Sequence, residues 1–279
     1  ACNDARLQAS YSQVLAGKQA SMILTDPPYN VPIQGHVSGL GAIQHEEFAM
    51  ASGEMSPDEY IRFLSSVFTL LGDNSLPGSL HYIFMDWRHM DAILAAGNAN
   101  YDSLINLCVW SKTNGGMGSL YRSRHELIFI FKHGRAPHIN NVQLGRYGRY
   151  RTNVWDYPGI NSFGEGRDEA LRMHPTVKPV ALLADALLDA TNRGDSILDV
   201  FGGSGSTLLA AEQTGRCAHL IEIDPRYVDT TIRRWEHLTG QAAVHSGTGL
   251  TFEDLAQQRL GVTREVHGSG TVSGGQSDE

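Results

Sequence analysis

The sequence predicts an α/β chain built on a doubly wound, Rossmann-like sheet. Three observations carry that expectation. Short apolar strands alternate with amphipathic helices, and Met22-Ile23-Leu24-Thr25 delivers Asp26 to a strand end. The strand candidate Ser196 to Val200 then runs straight into the glycine-rich string Phe201-Gly202-Gly203-Ser204-Gly205. A chain of 279 residues with 41% apolar content can bury a sizeable core, as one large domain or a core with an insert.

The remaining elements follow in order. Strands are expected at Met22 to Thr25, Leu80 to Met85, Ile105 to Trp110, Leu127 to Phe131, Ser196 to Val200 and Cys217 to Ile221. Helices are expected at Ser56 to Leu71, Arg88 to Ala96, Pro179 to Thr191, Ser206 to Gln213 and Pro225 to Leu238. Ser56 with Glu59 forms a capping box, Pro179 suits a first helical turn and Gly215 a helix stop. The stretch from His133 to Arg172 has no clear period and is rich in Gly, Asn and Arg, as an inserted recognition region would be. After about Val262 the Gly-Ser-Gly and Ser-Gly-Gly strings carry no apolar pattern, so order is not expected there.

Charge divides the chain by region. The net charge is −8, yet the segment from Lys112 to Arg172 holds ten Lys or Arg against five Asp or Glu, a balance of +5 that leaves −13 elsewhere. Phosphate contacts are therefore expected in that segment, from Lys112, Arg122, Arg124, Arg146, Arg149 and Arg151. Tyr121, Tyr147, Tyr150, Trp155, Tyr157 and Phe163 are interleaved with these arginines and with Arg167, the mixture expected where backbone is gripped and bases are stacked. No apolar run is long enough to span a membrane and no signal peptide is visible, so a soluble chain is expected. Cys2, Cys108 and Cys217 show no Cys-x-x-Cys spacing, so neither a disulfide framework nor a metal site is expected, and the cytoplasm is the expected location. The start at Ala1, almost inside a motif, is that expected of a fragment of something longer.

The late glycine string is placed to hold a nucleoside. It follows a strand and opens a helix, where missing side chains let backbone approach a ligand. Glu222 ends a second strand seventeen residues after Gly205, close to the separation at which nucleotide folds place a ribose-binding acid. A dinucleotide fingerprint would need glycine where Leu208 stands, and the Gly-Lys-Ser/Thr of a phosphate loop is absent. Lys178, at a helix start, adds charge where a cofactor carboxylate could bind.

The early string Asp26-Pro27-Pro28-Tyr29 makes a rigid corner that offers acceptors and no proline N–H. An exocyclic amino group on a base has two N–H donors and a lone pair delocalised into the ring. If Asp26 and the Pro27 carbonyl accept those hydrogens, the nitrogen moves towards tetrahedral geometry and its lone pair becomes available. Tyr29 can stack on the base. Such a corner cannot reach an amino group inside a duplex, so the nucleotide must be flipped out or single-stranded.

In these residues the chain resembles the DNA amino-methyltransferases, in the beta group whose catalytic motif precedes the cofactor motif. Asp26-Pro27-Pro28-Tyr29 looks like the catalytic motif and Phe201-x-Gly203-x-Gly205 like the S-adenosylmethionine motif. His174-Pro175-Thr176-x-Lys178-Pro179 looks like the segment that binds the methionine end of the cofactor. Asp4, in Asn3-Asp4-Ala5, is similar to a Gly-Asp-Ala turn near the adenine, with Asn in place of Gly. Trp110 to Gly116 and Tyr121 to Glu126 look closest to a subgroup with an upstream partition-protein-like domain, which is not expected within these 279 residues.

The resemblance implies a circularly permuted core: a catalytic half at 1–132, a target-recognition insert at 133–172, a cofactor-binding half at 173–245 and a C-terminal extension at 246–279. The implied activity is S-adenosylmethionine-dependent, site-specific methylation of adenine N6 in double-stranded DNA, because Asp at the first catalytic position mostly accompanies adenine and Ser cytosine N4. Asp26, Pro27, Pro28 and Tyr29 are the expected catalytic residues. The expected cofactor residues are Asp4, Thr176, Lys178, Asp199, Phe201, Gly202, Gly203, Gly205 and Glu222. A homodimer is compatible with this reading. Cytosine N4 or RNA methylation, and an inactive DNA-binding accessory protein, are the alternatives.

Overall fold

The computed structural model describes residues 1–31, 51–116, 120–159 and 177–261. Helix α1 (Gln8–Leu15) precedes β1 (Ala20–Thr25), and α2 (Pro57–Asp73) leads to β2 (Ser75–Met85). A short 3-10 turn at Trp87–His89 and α3 (Met90–Asn100) precede β3 (Ser103–Ser111), β4 (His125–Lys132) and β5 (Val154–Asp156). Then come α4 (Val180–Ala190), β6 (Ser196–Asp199), α5 (Ser206–Thr214), β7 (Cys217–Leu220), α6 (Pro225–Thr239) and α7 (Phe252–Leu260).

The strands form one seven-stranded sheet in the order β5-β3-β4-β2-β1-β6-β7. β4 runs antiparallel to both β2 and β3, while the other neighbours pair in parallel. Alternation along the strands builds two cores. Ile23, Ile83, Met85, Leu127, Phe129, Phe131 and Leu198 face one side, where α1, α2 and α3 pack. Met22, Leu24, Tyr82, Phe84, Ile128, Ile130 and Ile197 face the other, against α4 and α5.

This layout locates the site. From β1 the chain reaches β2 through α2, on the first face, whereas from β6 it reaches β7 through α5, on the second. β1 and β6 are nevertheless adjacent and parallel, with Met22 opposite Ile197 and Ile23 opposite Leu198. The crevice outside their carboxyl ends is thus a topological switch point, where open α/β sheets bind ligands. Asp26 leaves β1 there and Val200 leaves β6 there.

Local chemistry explains most boundaries. The Ser56 hydroxyl accepts from the Glu59 N–H at 3.4 Å and the Glu59 carboxylate accepts from the Ser56 N–H at 2.9 Å, the reciprocal pair that starts α2. Pro179 is the N-cap of α4, one residue outside the helix. α3 starts later than expected because Asp86 caps the 3-10 turn first, accepting from the His89 N–H at 3.1 Å. It also runs on to Asn100, and a Cβ at Gly97 would run into the Phe131 ring, so only glycine lets this helix approach β4 so closely.

β5 revises the expected boundary of the insert. Its residues pair with Val109, Trp110 and Ser111 of β3, and Trp155 is buried beside Tyr82 with ring centroids 6.4 Å apart. Part of the 133–172 stretch therefore belongs to the central sheet. Of the expected C-terminal extension, 246–261 includes α7, and the residues from Val262 onward lie outside those described.

Candidate active site

Both functional strings line one cleft of about 1180 Å³, open mouth included. Asp26, Pro27, Pro28 and Tyr29 form part of its wall, and Lys178, Asp199, Phe201, Gly202, Gly203 and Glu222 form another. Asn3, Ile223, Asp224 and Tyr227 also line it.

The early corner is held from three sides. The Tyr29 hydroxyl donates to Asp26 Oδ1 at 2.5 Å, and the Tyr60 hydroxyl of α2 donates to the Pro28 carbonyl at 2.8 Å. Asn30 has left-handed backbone (φ 54°), and its amide side chain bonds the backbone of Gly53 and Met55, tying the corner to the start of α2. No hydrogen bond among the described residues uses the Pro27 carbonyl, which is therefore available as an acceptor.

Lys178 is the centre of a buried charge cluster. Its ammonium pairs with Asp26 Oδ2 and lies 3.1 Å from Glu126 Oε2. The other Glu126 oxygen pairs with Lys112, whose ammonium sits 4.5 Å above the Trp110 ring. Tyr29 also reaches Glu126 Oε2, at 3.3 Å. Burial pushes the Asp26 carboxyl up, opposed by Lys178 and assisted by the Glu126 charge. Burial also raises Glu126, but Lys178 and Lys112 outweigh it and hold that carboxyl at about 2. The same two carboxylates raise the Lys178 ammonium against the desolvation that would lower it. Lys178, for which a cofactor carboxylate is the expected partner, lines the cleft, and its side chain, 7% exposed, also lies between two protein carboxylates. A buried ammonium requires such partners. Its third N–H leaves capacity for a ligand.

The glycine-rich turn is shaped by Asp199 and Glu222. Asp199 is buried and accepts from the hydroxyls of Thr25 (2.7 Å) and Thr207 (2.6 Å) and from the Phe201 N–H (3.1 Å). Burial pushes its carboxyl to about 6. Glu222 accepts from the N–H groups of Gly203 (2.7 Å) and Asp224 (2.8 Å), which fix its carboxylate at the cleft. Gly205 does not line the cleft. It adopts φ 81° at the start of α5, and a Cβ there would meet Thr231 of α6 at 2.5 Å, so its glycine serves helix packing.

Asp4 turns away from the cleft, bound by Arg6 at 2.6 Å, while its neighbours Asn3 and Ala5 line it. Asn3 gets there because its N–H bonds the Glu222 carbonyl at 2.9 Å, laying the chain start along the exit of β7. Thr176 lies outside the described residues. Glu126, Asn3 and Tyr227 were missed by sequence reasoning. Glu126 left one signal: a carboxylate near the start of an otherwise apolar strand.

The basic segment splits into two kinds of arginine. Residues 143–150 form successive tight turns, closed by the Arg146 N–H on the Gln143 carbonyl and the Arg149 N–H on the Arg146 carbonyl, both 3.0 Å. Arg146, Tyr147, Arg149 and Tyr150 are exposed on them. Arg122 and Arg124 are exposed near the start of β4, bonded to the Gly115 carbonyl (2.8 Å) and the Ser111 hydroxyl (3.2 Å). Arg151 is instead committed to the fold: it pairs with Asp189 of α4 at 2.5 Å and stacks 4.8 Å over Trp155. Trp155 and Tyr157, expected to stack on bases, are likewise engaged, Trp155 in the core and the Tyr157 hydroxyl on Asp185. Phe163 and Arg167 lie outside the described residues.

A sheet with a switch-point cleft lined by an acceptor corner and a glycine turn has the layout of ligand-binding open α/β proteins. Residues 20–233 match the N6/N4 DNA methylase family, and the chain belongs to that family. It is 27% identical over 232 residues to the type II methyltransferase M2.MboI of Moraxella bovis, covering 78% of this chain and 81% of that protein. Among solved structures, the M1.HpyAVI-SAM complex aligns with a TM-score of 0.61 at 20% identity, covering 84% of this chain and 96% of that one. PvuII DNA methyltransferase, described as cytosine-N4-specific, aligns with a TM-score of 0.60 at 16% identity, covering 81% of this chain and 86% of that one. The seven-stranded α/β architecture is thus that of known DNA methyltransferases. Among the described residues no helix is long and apolar enough to cross a membrane, and no cluster of His, Cys, Asp and Glu could hold a metal ion.

Proposed function

We propose that this chain transfers a methyl group from S-adenosylmethionine to N6 of an adenine flipped out of double-stranded DNA. The observation that carries the reading is the single cleft shared by Asp26 and Glu222, which puts an amine-binding corner and a nucleoside-binding turn in one enclosure. The cofactor residues fit the group: a carboxylate fixed by two backbone amides faces the cleft, and Phe201, Ile223 and Tyr227 supply apolar walls for an adenine. When bound, the cofactor supplies an electrophilic methyl on a sulfonium.

The chain's own residues supply orientation and charge. Asp26 and the Pro27 carbonyl accept the two amine hydrogens, which frees the nitrogen lone pair and stabilises positive charge as it develops there. Tyr29, fixed by its bond to Asp26, offers a ring face to the base. Glu222 accepts from ribose hydroxyls, and the exposed Arg146 and Arg149 turns hold phosphates. Adenine is favoured over cytosine by Asp at position 26, and a cytoplasmic location follows from the substrate.

Reaction of DNA with methyl-labelled cofactor, followed by nucleoside analysis, tests this. N6-methyladenine is the expected product. N4-methylcytosine would overturn the adenine assignment, label on RNA alone would overturn the DNA substrate, and cofactor binding without transfer would favour an accessory protein.

A further inference from the structure

We propose that Glu126 is a positioning residue for methyl transfer, which acts by clamping the Lys178 ammonium against Asp26. The inference rests on the amino-methyltransferase reading of the Asp26 corner. Four charges alternate across the cluster: Asp26, Lys178, Glu126 and Lys112. Glu126 does not line the cleft but bonds Lys178 and Tyr29, which do. Its side chain, only 13% exposed, spends one oxygen on each lysine.

The fold makes this arrangement. β4 is antiparallel to β2, with Leu127 opposite Met85, so the start of β4 lies at the carboxyl end of β2 and β1. Glu126 is thereby brought beside Asp26 at the ligand edge of the sheet. Lys178 arrives on the chain entering α4, over the rings of Phe84 (5.2 Å) and Tyr29 (5.8 Å). A lysine with one anchor can rotate its ammonium away from Asp26. With Glu126 as the second anchor it stays, and the Asp26 carboxylate keeps the orientation that presents its remaining lone pairs to the amine. Lys112 balances the second anion, so the cluster is neutral and can remain buried.

The charges also give the sign of a pH effect. Asp26 is faced by Lys178, Glu126 and Tyr29, with Lys112 behind Glu126, Asp199 elsewhere on the cleft wall and the Asp86 charge felt by Tyr29. Asp26 must be ionised to accept amine hydrogens, so activity falls as pH falls through its pKa. Removing the negative charge of Glu126 removes a repulsion and moves that acid limb to lower pH.

The test measures kcat, cofactor KM and the pH profile of kcat/KM for the full chain and its Glu126→Gln variant, on DNA that the unsubstituted chain methylates. The expected result is a loss in kcat of about tenfold or more, a cofactor KM within about twofold, and an acid limb shifted to lower pH. Glu126→Asp should recover part of the rate. If Glu126→Gln does not fold, the charge-balanced pair Glu126→Gln with Lys112→Met is read instead: its kcat should fall while its acid limb stays near that of the unsubstituted chain. An unaltered kcat and pH profile in a folded variant overturns the clamp alone. A matched rise in KM with kcat unchanged also overturns it, since that is a binding role. Absence of transfer by the unsubstituted chain on any DNA overturns the methyltransferase reading beneath it.

Discussion

The Thr25 hydroxyl donates to Asp199 Oδ1 at 2.7 Å, joining the last residue of β1 to the last residue of β6. The two strings of the site come from opposite halves of the sequence, and this buried bond locks their strands at the switch point. Asp199 in turn holds Phe201 and Thr207, so the glycine turn is referenced to the Asp26 strand through one side chain.

Replacing Thr25 with valine keeps the shape and removes that donor. Folding stability should fall by about 1–3 kcal/mol, the cost of leaving a buried acceptor short of a partner. Cofactor affinity should fall too, because the turn loses its reference. Chemical denaturation and calorimetry measure the two effects; an unchanged midpoint with unchanged affinity would show that the bond does not order the turn.

His81 sets a pH response of stability. It is fully buried on β2, bonded to the Ser79 hydroxyl and the Tyr101 hydroxyl at 3.1 Å each. Burial, with His133 nearby, drives its pKa well below 6.5. The unfolded chain therefore takes up a proton near pH 6.5 that the folded chain refuses, and stability is lost as pH falls below 6.5. This one group contributes at most about 1.4 kcal/mol per pH unit. His81→Gln, which can still bond both hydroxyls, should show a shallower decline between pH 6.5 and 5 in denaturation curves, and an identical slope would remove His81 as the cause.

The two classes of arginine should separate in solution. Arg146→Ala with Arg149→Ala should weaken DNA binding and reduce the slope of log affinity against log salt by about 2, one for each phosphate no longer neutralised. Arg151→Ala should mainly destabilise the fold, since it breaks the tie from the chain entering β5 to α4 and leaves Asp189 half-buried without its partner. A double variant that keeps both DNA affinity and salt slope would move the phosphate-binding surface elsewhere.

Much of this architecture was legible where local pattern and tertiary need agree. β1, β4 and β6 are apolar runs, the Ser56 capping box starts α2, and Gly215 ends α5 with φ 71°. The missed elements lacked such agreement. α1 has no side-chain cap at Leu7, and β5 is three residues long and exists through pairing with distant β3. α7 does carry a local mark, the Thr251 hydroxyl accepting from the Asp254 N–H at 3.1 Å, but it is short and buries no residue. In the site, Asp26 and Glu222 could be found because each follows closely on the end of a strand, β1 and β7. Glu126 could not be paired with Lys178 without knowing that β4 runs antiparallel, and Arg151 looked like its neighbours until Asp189 was placed beside it.

In the proposed reaction Asp26 orients the acceptor amine and takes no part in holding the cofactor. The most direct measurement is single-turnover methyl transfer by Asp26→Ala, alongside calorimetric S-adenosylmethionine affinity. The expected rate is lower by on the order of a hundredfold or more, with affinity nearly unchanged. Near-normal turnover, or a collapse of cofactor affinity that alone explains the lost rate, would contradict it.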